Sequence, residues 1–217
     1  MTIVLALILG LLQGLRHAFE PDHVVAVSTM ISEQRSTRAR TIYAVSWGLG
    51  HASMLVVVGG ILMAFRSELP RRLDAAFEVA VSLMLMGLGV RAIFLAWRLS
   101  RRAPEPLNGP APPPVRGWRS IGPLALGMVH GLAGSGALTA LVVARLHSPF
   151  IGVAFMLIFG AGATLGMSLL AGAAGVPLSR VMRTKRGMPL LLASTGSVSL
   201  VLGLSWIGTA VHRCAGL

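Results

Sequence analysis

Six apolar runs alternate with short polar stretches along the chain: Met1–Ile31, Ile42–Phe65, Ala75–Trp97, Ile121–Ala144, Phe150–Ala174 and Met188–Val211. Each is long enough for a helix that crosses hydrocarbon, which takes about 20 residues. The first is too long for one straight crossing and contains Pro21, which cannot donate an intrahelical hydrogen bond. A helix broken at Pro21 is therefore predicted, with two short crossings as the alternative. The pattern as a whole predicts an all-α polytopic membrane protein.

The polar positions inside the first run are Arg16, His17, Glu20, Asp22 and His23. Each ionisable group at membrane depth costs roughly 2.5–3.5 kcal/mol on insertion scales, so a concentration of them marks a site. On one continuous helix Asp22 and His23 would point roughly 140° and 240° away from His17. A break changes that: Glu20 can cap and Pro21 can start a second half-helix. Carbonyls near His17 are then left free, and Asp22 offsets the positive end of the next half-helix.

Composition agrees with the pattern. Of 217 residues 54% are hydrophobic and only 12% charged, with a mean hydropathy of +0.77, against about a quarter charged in soluble domains. The net charge of +12 comes from 18 arginines and Lys185. These fall mainly between the runs, as the basic bias of cytoplasmic loops predicts, so no nucleic-acid partner is implied. With six spans and both termini outside, twelve of these residues lie inside and five outside. Splitting the broken segments into separate crossings would move the Arg180–Arg186 group outside and weaken that bias. Cys214 is the single cysteine, which excludes an intrachain disulfide and a cysteine metal cluster. No basic stretch or A-x-A site precedes His17, so residues 1–15 are expected to remain as part of the first helix.

A linker over 101–119, six of whose residues are proline, is expected to be extended and cytoplasmic. It separates a first membrane repeat, 1–100, from a second, 120–217. Gly14-Leu-Arg-His17 matches Gly127-Met-Val-His130 at an offset of 113, and Trp47-Gly48-Leu-Gly50 matches Phe159-Gly160-Ala-Gly162 at 112. Three spans per half place the second half in the membrane upside down. The expectation is two inverted three-helix repeats with the first helix of each half broken, the second at the glycine run His130–Gly136. In such repeats, interrupted segments mark a substrate site near the midplane. The GxxxG pairs Gly10/Gly14 and Gly162/Gly166 read as helix-packing surfaces.

Imidazoles and a carboxylate without thiolate favour Ni(II), Co(II), Cu(II) or Zn(II) over Ca(II) and Mg(II). His17, Asp22 and His23 are the candidate metal-binding residues, and His51, beside Gly48 and Gly50, is the ligand expected from a second helix. His130 and Glu20 form a second tier, for coordination or transit; for His130 a plain interhelical hydrogen bond is the competing reading. Arg16 either pairs with Glu20 or Asp22 or snorkels to the interface. His147 and His212 sit at span ends.

The pattern His17-Ala-Phe-Glu-Pro-Asp22-His23, H-x4-D-H, resembles the signature of the nickel/cobalt transporter family, and Gly50-His51-Ala52-Ser53 resembles that family's second motif. The stretch His130-Gly-Leu-Ala-Gly-Ser-Gly-Ala-Leu138 is similar to the shorter urease-accessory-type nickel permeases. The resemblance implies a secondary permease of the bacterial inner membrane that imports Ni(II), with Co(II) as second candidate. His17, Asp22, His23 and His51 would be its metal contacts. The ion is then substrate rather than cofactor, its other partner is the lipid bilayer, and no enzyme activity is expected. No ATP-binding motif is present, so the membrane potential would supply the energy. Two rivals stand beside it. An exporter of the same fold should carry a His-rich cytoplasmic loop, which 101–119 lacks. A histidine-box metalloenzyme needs clustered H-x3-H and H-x2-H-H motifs, whereas the six histidines here are dispersed.

Overall fold

The computed structural model describes residues 3–32, 34, 36–65, 67, 69–101, 122–145, 148–182 and 186–215, and at 32, 37, 134–145, 149, 174–182 and 214–215 the helical backbone alone. The proline-rich linker, His147 and the side chains of the 134–136 glycine run lie outside the described residues. Among the described residues there are seven helices and no strand.

The first run is two limbs, α1 (Ile3–His17) and α2 (Pro21–Ser32), bent by 58°. The amides of Phe19 and Glu20 turn back to the carbonyls of Arg16 and His17 at 2.9 and 3.0 Å. That tight turn ends α1, and Pro21 then opens α2, where its missing N–H leaves no helical bond unmade. The Glu20 carbonyl accepts the first bond of α2, from the Val24 amide at 3.0 Å. Ser36 caps α3 (Thr37–Ala64), its Oγ accepting from the Ala39 amide at 3.1 Å, which satisfies one of the unpaired amides of the first turn. After α4 (Arg71–Arg101) come α5 (Gly122–Arg145), α6 (Pro149–Met182) and α7 (Gly187–Ala215).

By length and composition α3, α4, α6 and α7 can each cross a membrane, and the α1–α2 pair makes a fifth, broken span. Helix α5 has 24 residues, of which Gly122–Ala133 forms an apolar helical stretch. The chain is a polytopic helical membrane protein, in keeping with the apolar pattern. The expected second break is corrected by the structure: α5 runs as one helix through the glycines at 131, 134 and 136. Glycine keeps its N–H and so keeps the i→i−4 ladder; only proline removes the donor.

Helix α1 packs on α6, α3 on both α5 and α6, and α4 on α7. Both GxxxG pairs lie in the α1–α6 contact, with Gly10 and Gly14 against Phe155 and Phe159, and Gly162 and Gly166 against Leu11 and Leu15. The contacts repeat with the halves exchanged. A Cβ on Gly14 would fall on the carbonyl oxygen of Phe159, and one on Gly127 on the carbonyl oxygen of Trp47. Likewise Gly50 meets the Leu124 carbonyl and Gly162 the Leu11 carbonyl. Along α3 and α6, Gly48 faces Thr164 and Gly160 faces Ala52, so these two helices run antiparallel. Helices α4 and α7 do the same: Gly89 meets Gly196, Gly203 meets Ser82, and Arg213 pairs with Glu78 at 2.6 Å. Antiparallel pairing of matching helices is what a two-fold axis in the membrane plane produces.

The buried core joins Val27, Met30 and Ile31 of α2 to Tyr43 and Trp47 of α3, Leu85 of α4 and Met167 of α6. It seats α2 inside the bundle. Arg40, counted above among the loop arginines, is buried at 1% exposure, its Nε donating to the Gln34 carbonyl at 2.9 Å.

Because the α1–α6 contact is backbone on backbone, Gly14→Ala should cost about 2–3 kcal/mol, in the range of overpacking substitutions. Gly87, with open space around it, should accept alanine with no loss. Thermal unfolding of the two variants in detergent checks the difference.

Candidate metal centre

The bend between α1 and α2 decides which side chains meet. It returns His23 towards His17, so that their rings lie 4.3 Å apart, centroid to centroid. His51 of α3 joins them, 5.3 Å from His17 and 5.1 Å from His23. From the other half, His130 of α5 approaches His23 to 4.2 Å and His51 to 6.0 Å. His23, His51 and His130 are at most 2% exposed. Four imidazoles therefore share one buried centre.

Two carboxylates orient them. His17 Nδ1 lies 2.9 Å from Glu20 Oε2; with that nitrogen donating, the lone pair of the neutral ring sits on Nε2, a buried atom with no hydrogen-bond partner. A carboxylate behind an imidazole in this way fixes the tautomer of a metal-binding histidine. Asp22, 6% exposed, accepts from His130 Nε2 at 2.9 Å, which leaves His130 Nδ1 and Asp22 Oδ1 without partners. Asp22 Oδ1 and His23 Nδ1 lie 3.2 Å apart, without hydrogen-bonding geometry.

Both nitrogens of His23 and of His51 are likewise buried and unpartnered. A buried polar group without a partner costs roughly 1–3 kcal/mol in proteins, so this centre offers more lone pairs than the fold itself uses. They fall into two sets of three, His17/His23/His51 and Asp22/His23/His130, and in each set one ligand atom per residue lies within 4.8 Å of the others. A first-row divalent ion with bonds of about 2.1 Å in tetrahedral geometry holds its ligand atoms about 3.4 Å apart, so each set closes around an ion by inward shifts of its side chains.

The walls follow the same exchange of halves as the backbone. Phe159 of α6 packs on His17 at 5.3 Å, and Trp47 of α3 packs edge-on to His130 at 5.5 Å. Trp47 and Phe159 are related by an offset of 112, close to the 113 that relates His17 to His130.

The structure brings His17, Asp22, His23 and His51 into one centre, with Asp22 Oδ2 on His130 and Oδ1 3.2 Å from His23, so that Asp22 groups with His23 and His130 and not with His17 and His51. His130, placed in the second tier by sequence, is buried in the same centre beside His23. Glu20 stays at the margin with its side chain 48% exposed. Its carboxylate binds His17, and its carbonyl makes the cap. Arg16 is exposed and pairs with neither carboxylate. His212 is exposed at the end of α7.

No family model matches the chain, and no solved structure matches it. The chain is 29% identical to the urease accessory protein UreH of Bacillus sp. over 204 residues, covering 93% of this chain and 90% of that protein. It is 34% identical to a high-affinity nickel transport protein of Cupriavidus necator over 83 residues, 38% of this chain and 23% of that longer protein. The name of the second relative agrees with the resemblance that the histidine motifs carry.

The Asp22–His130 pair joins α2 to α5 in the buried centre. A double-mutant cycle with Asp22→Ala and His130→Ala, read by unfolding in the presence of chelator, should return a coupling of about 1.5–3 kcal/mol, the range for hydrogen bonds to charged groups.

Proposed function

We propose, from that family likeness, that this protein is a secondary permease that carries Ni(II), with Co(II) as the alternative ion, inward across the bacterial inner membrane. The observation that carries the reading is the buried group of four imidazoles and one carboxylate with unpartnered lone pairs at the bend of a broken span. Nitrogen donors with a carboxylate suit Ni(II) and Co(II) far better than Ca(II) or Mg(II). His17, His23 and His51 act as ligands, Asp22 as the anionic partner of the site, and Glu20 as the residue that aims His17.

The two repeats, 1–100 and 120–217, serve as the moving halves, with the linker and the Arg180–Arg186 group on the cytoplasmic side and both termini outside. Dehydrating a divalent cation at the centre is offset by the lone pairs and by the ionised Asp22. The membrane potential adds about 2.3 kcal/mol per charge per 100 mV for inward movement. The relatives are named as a transport protein and an accessory protein, which favours transport over a histidine-box enzyme.

The test is uptake of Ni(II) by liposomes containing the purified protein, with an inside-negative potential. Wild type should accumulate the ion, and His17→Ala, His23→Ala and His51→Ala should each reduce the initial rate at least about tenfold. Unchanged uptake in both His17→Ala and His23→Ala would remove the site assignment. Direction is read in cells, where expression should raise cell-associated nickel; an exporter would lower it. Glu20→Gln should weaken Ni(II) affinity about 10–100-fold, the usual cost of losing the carboxylate behind a ligating histidine, as calorimetry would show.

A further inference from the structure

The two ligand sets have one residue in common. His17 and His51 approach His23 from α1 and α3, whereas Asp22 and His130 approach it from α2 and α5. We propose that His23 is shared by two overlapping cation positions, His17/His23/His51 and Asp22/His23/His130, and that the ion crosses the centre by exchanging the ligands on either side of it. The proposal rests on the permease reading for its last step only; the two positions are a matter of binding.

The geometry supports alternation rather than a single five-ligand site. Each triad is compact on its own, with its ligand atoms within 4.8 Å, while His51 and His130 stand 6.0 Å apart, ring to ring. A neutral imidazole has one lone pair and one N–H, so His23 serves one ion at a time. Three protein ligands leave a first-row ion with open coordination sites, and an incoming ligand can bind before the outgoing one leaves. Transit needs sites that bind well enough to admit the ion and weakly enough to release it, and two partial sites with a common member meet both demands.

The second position is held shut by its own members. Asp22 Oδ2 and His130 Nε2 hydrogen-bond at 2.9 Å, whereas His51 has neither nitrogen bonded and His17 keeps Nε2 free. The all-imidazole position is thus the open one, and an ion moving on must replace the Asp22–His130 hydrogen bond. Position one is built from helices of the first half alone. Position two draws His130 from the second half, so occupancy of it ties the halves together.

Co(II) titrated into the full-length protein in detergent tests the two positions, because its visible bands report the ligand set. Wild type should saturate at one Co(II) per chain. His51→Ala and His130→Gln should each still take one, with different spectra, and His23→Ala should bind at least about a hundredfold more weakly, since it belongs to both sets. The glutamine retains a neutral partner for Asp22 and protects the fold. Asp22→Asn should reproduce the His130→Gln spectrum. Two Co(II) per wild-type chain, identical spectra in His51→Ala and His130→Gln, or loss of all binding in His130→Gln would each overturn the two positions. In liposomes His130→Gln should move Ni(II) at least about tenfold more slowly while holding an ion at the first position; an unchanged rate overturns the crossing step. If the variants show both positions by Co(II) yet wild type moves no Ni(II), the permease reading is overturned instead.

Discussion

Direct contact between helix backbones is the constraint on which the rest of this structure depends. A carbonyl can rest on a neighbouring Cα only where that residue has no Cβ. Gly14 receives the carbonyl of Phe159 in this way and Gly127 that of Trp47. Each glycine stands three residues before a histidine of the centre, and each carbonyl belongs to the residue whose ring packs on that histidine. One residue thus sets both the depth of the helix and the wall of the site. Any side chain at Gly14 would lift α1 off α6 and carry His17 away from His51.

That closeness explains how so many polar groups are tolerated in an apolar bundle. The helices around the centre leave little room for lipid, and the groups satisfy one another in part: Glu20 holds His17, and Asp22 holds His130. The remainder, the nitrogens of His23 and His51 above all, is unsatisfied. Buried charged pairs contribute little net stability compared with apolar packing of equal volume. A fold selected for stability alone would fill this volume with leucine. The centre is therefore best understood as a cost carried by the well-packed contacts around it, α4 on α7 and α2 in the core, for the sake of what it binds.

Much of this was legible in the chain. The apolar runs located the helices, Pro21 located the bend, and the H-x4-D-H motif with His51 located the residues that meet there. The second break was not, because a run of glycines signals close approach as readily as it signals a break, and in α5 it serves the former: Gly127 and Gly131 lie against Trp47 and His51. Nor was the place of His130 beside Asp22 and His23 legible. Its neighbours Asp22 and Trp47 come from α2 and α3, and only the packing of α5 on α3 sets its ring against them. Asp22 shows the same limit from the other side: adjacency to His23 suggested one shared ligand set, whereas the first turn of α2 aims its carboxylate at α5.

The backbone and the donors obey different symmetries. The contacts of Gly14 with Phe159 and Gly127 with Trp47 exchange when the halves are exchanged, and both are made at once in this structure. Between two conformations of such a bundle, a ligand that interacts differently with each decides. The donors do not exchange. At the offset that relates His17 to His130, Asp22 and His23 correspond to Ser135 and Gly136, which supply neither imidazole nor carboxylate. In the proposed permease the near-symmetric backbone gives the two halves equivalent packing. The unsymmetrical donors, three imidazoles on one side of the path and an aspartate with its histidine on the other, make the ion the element that selects the conformation.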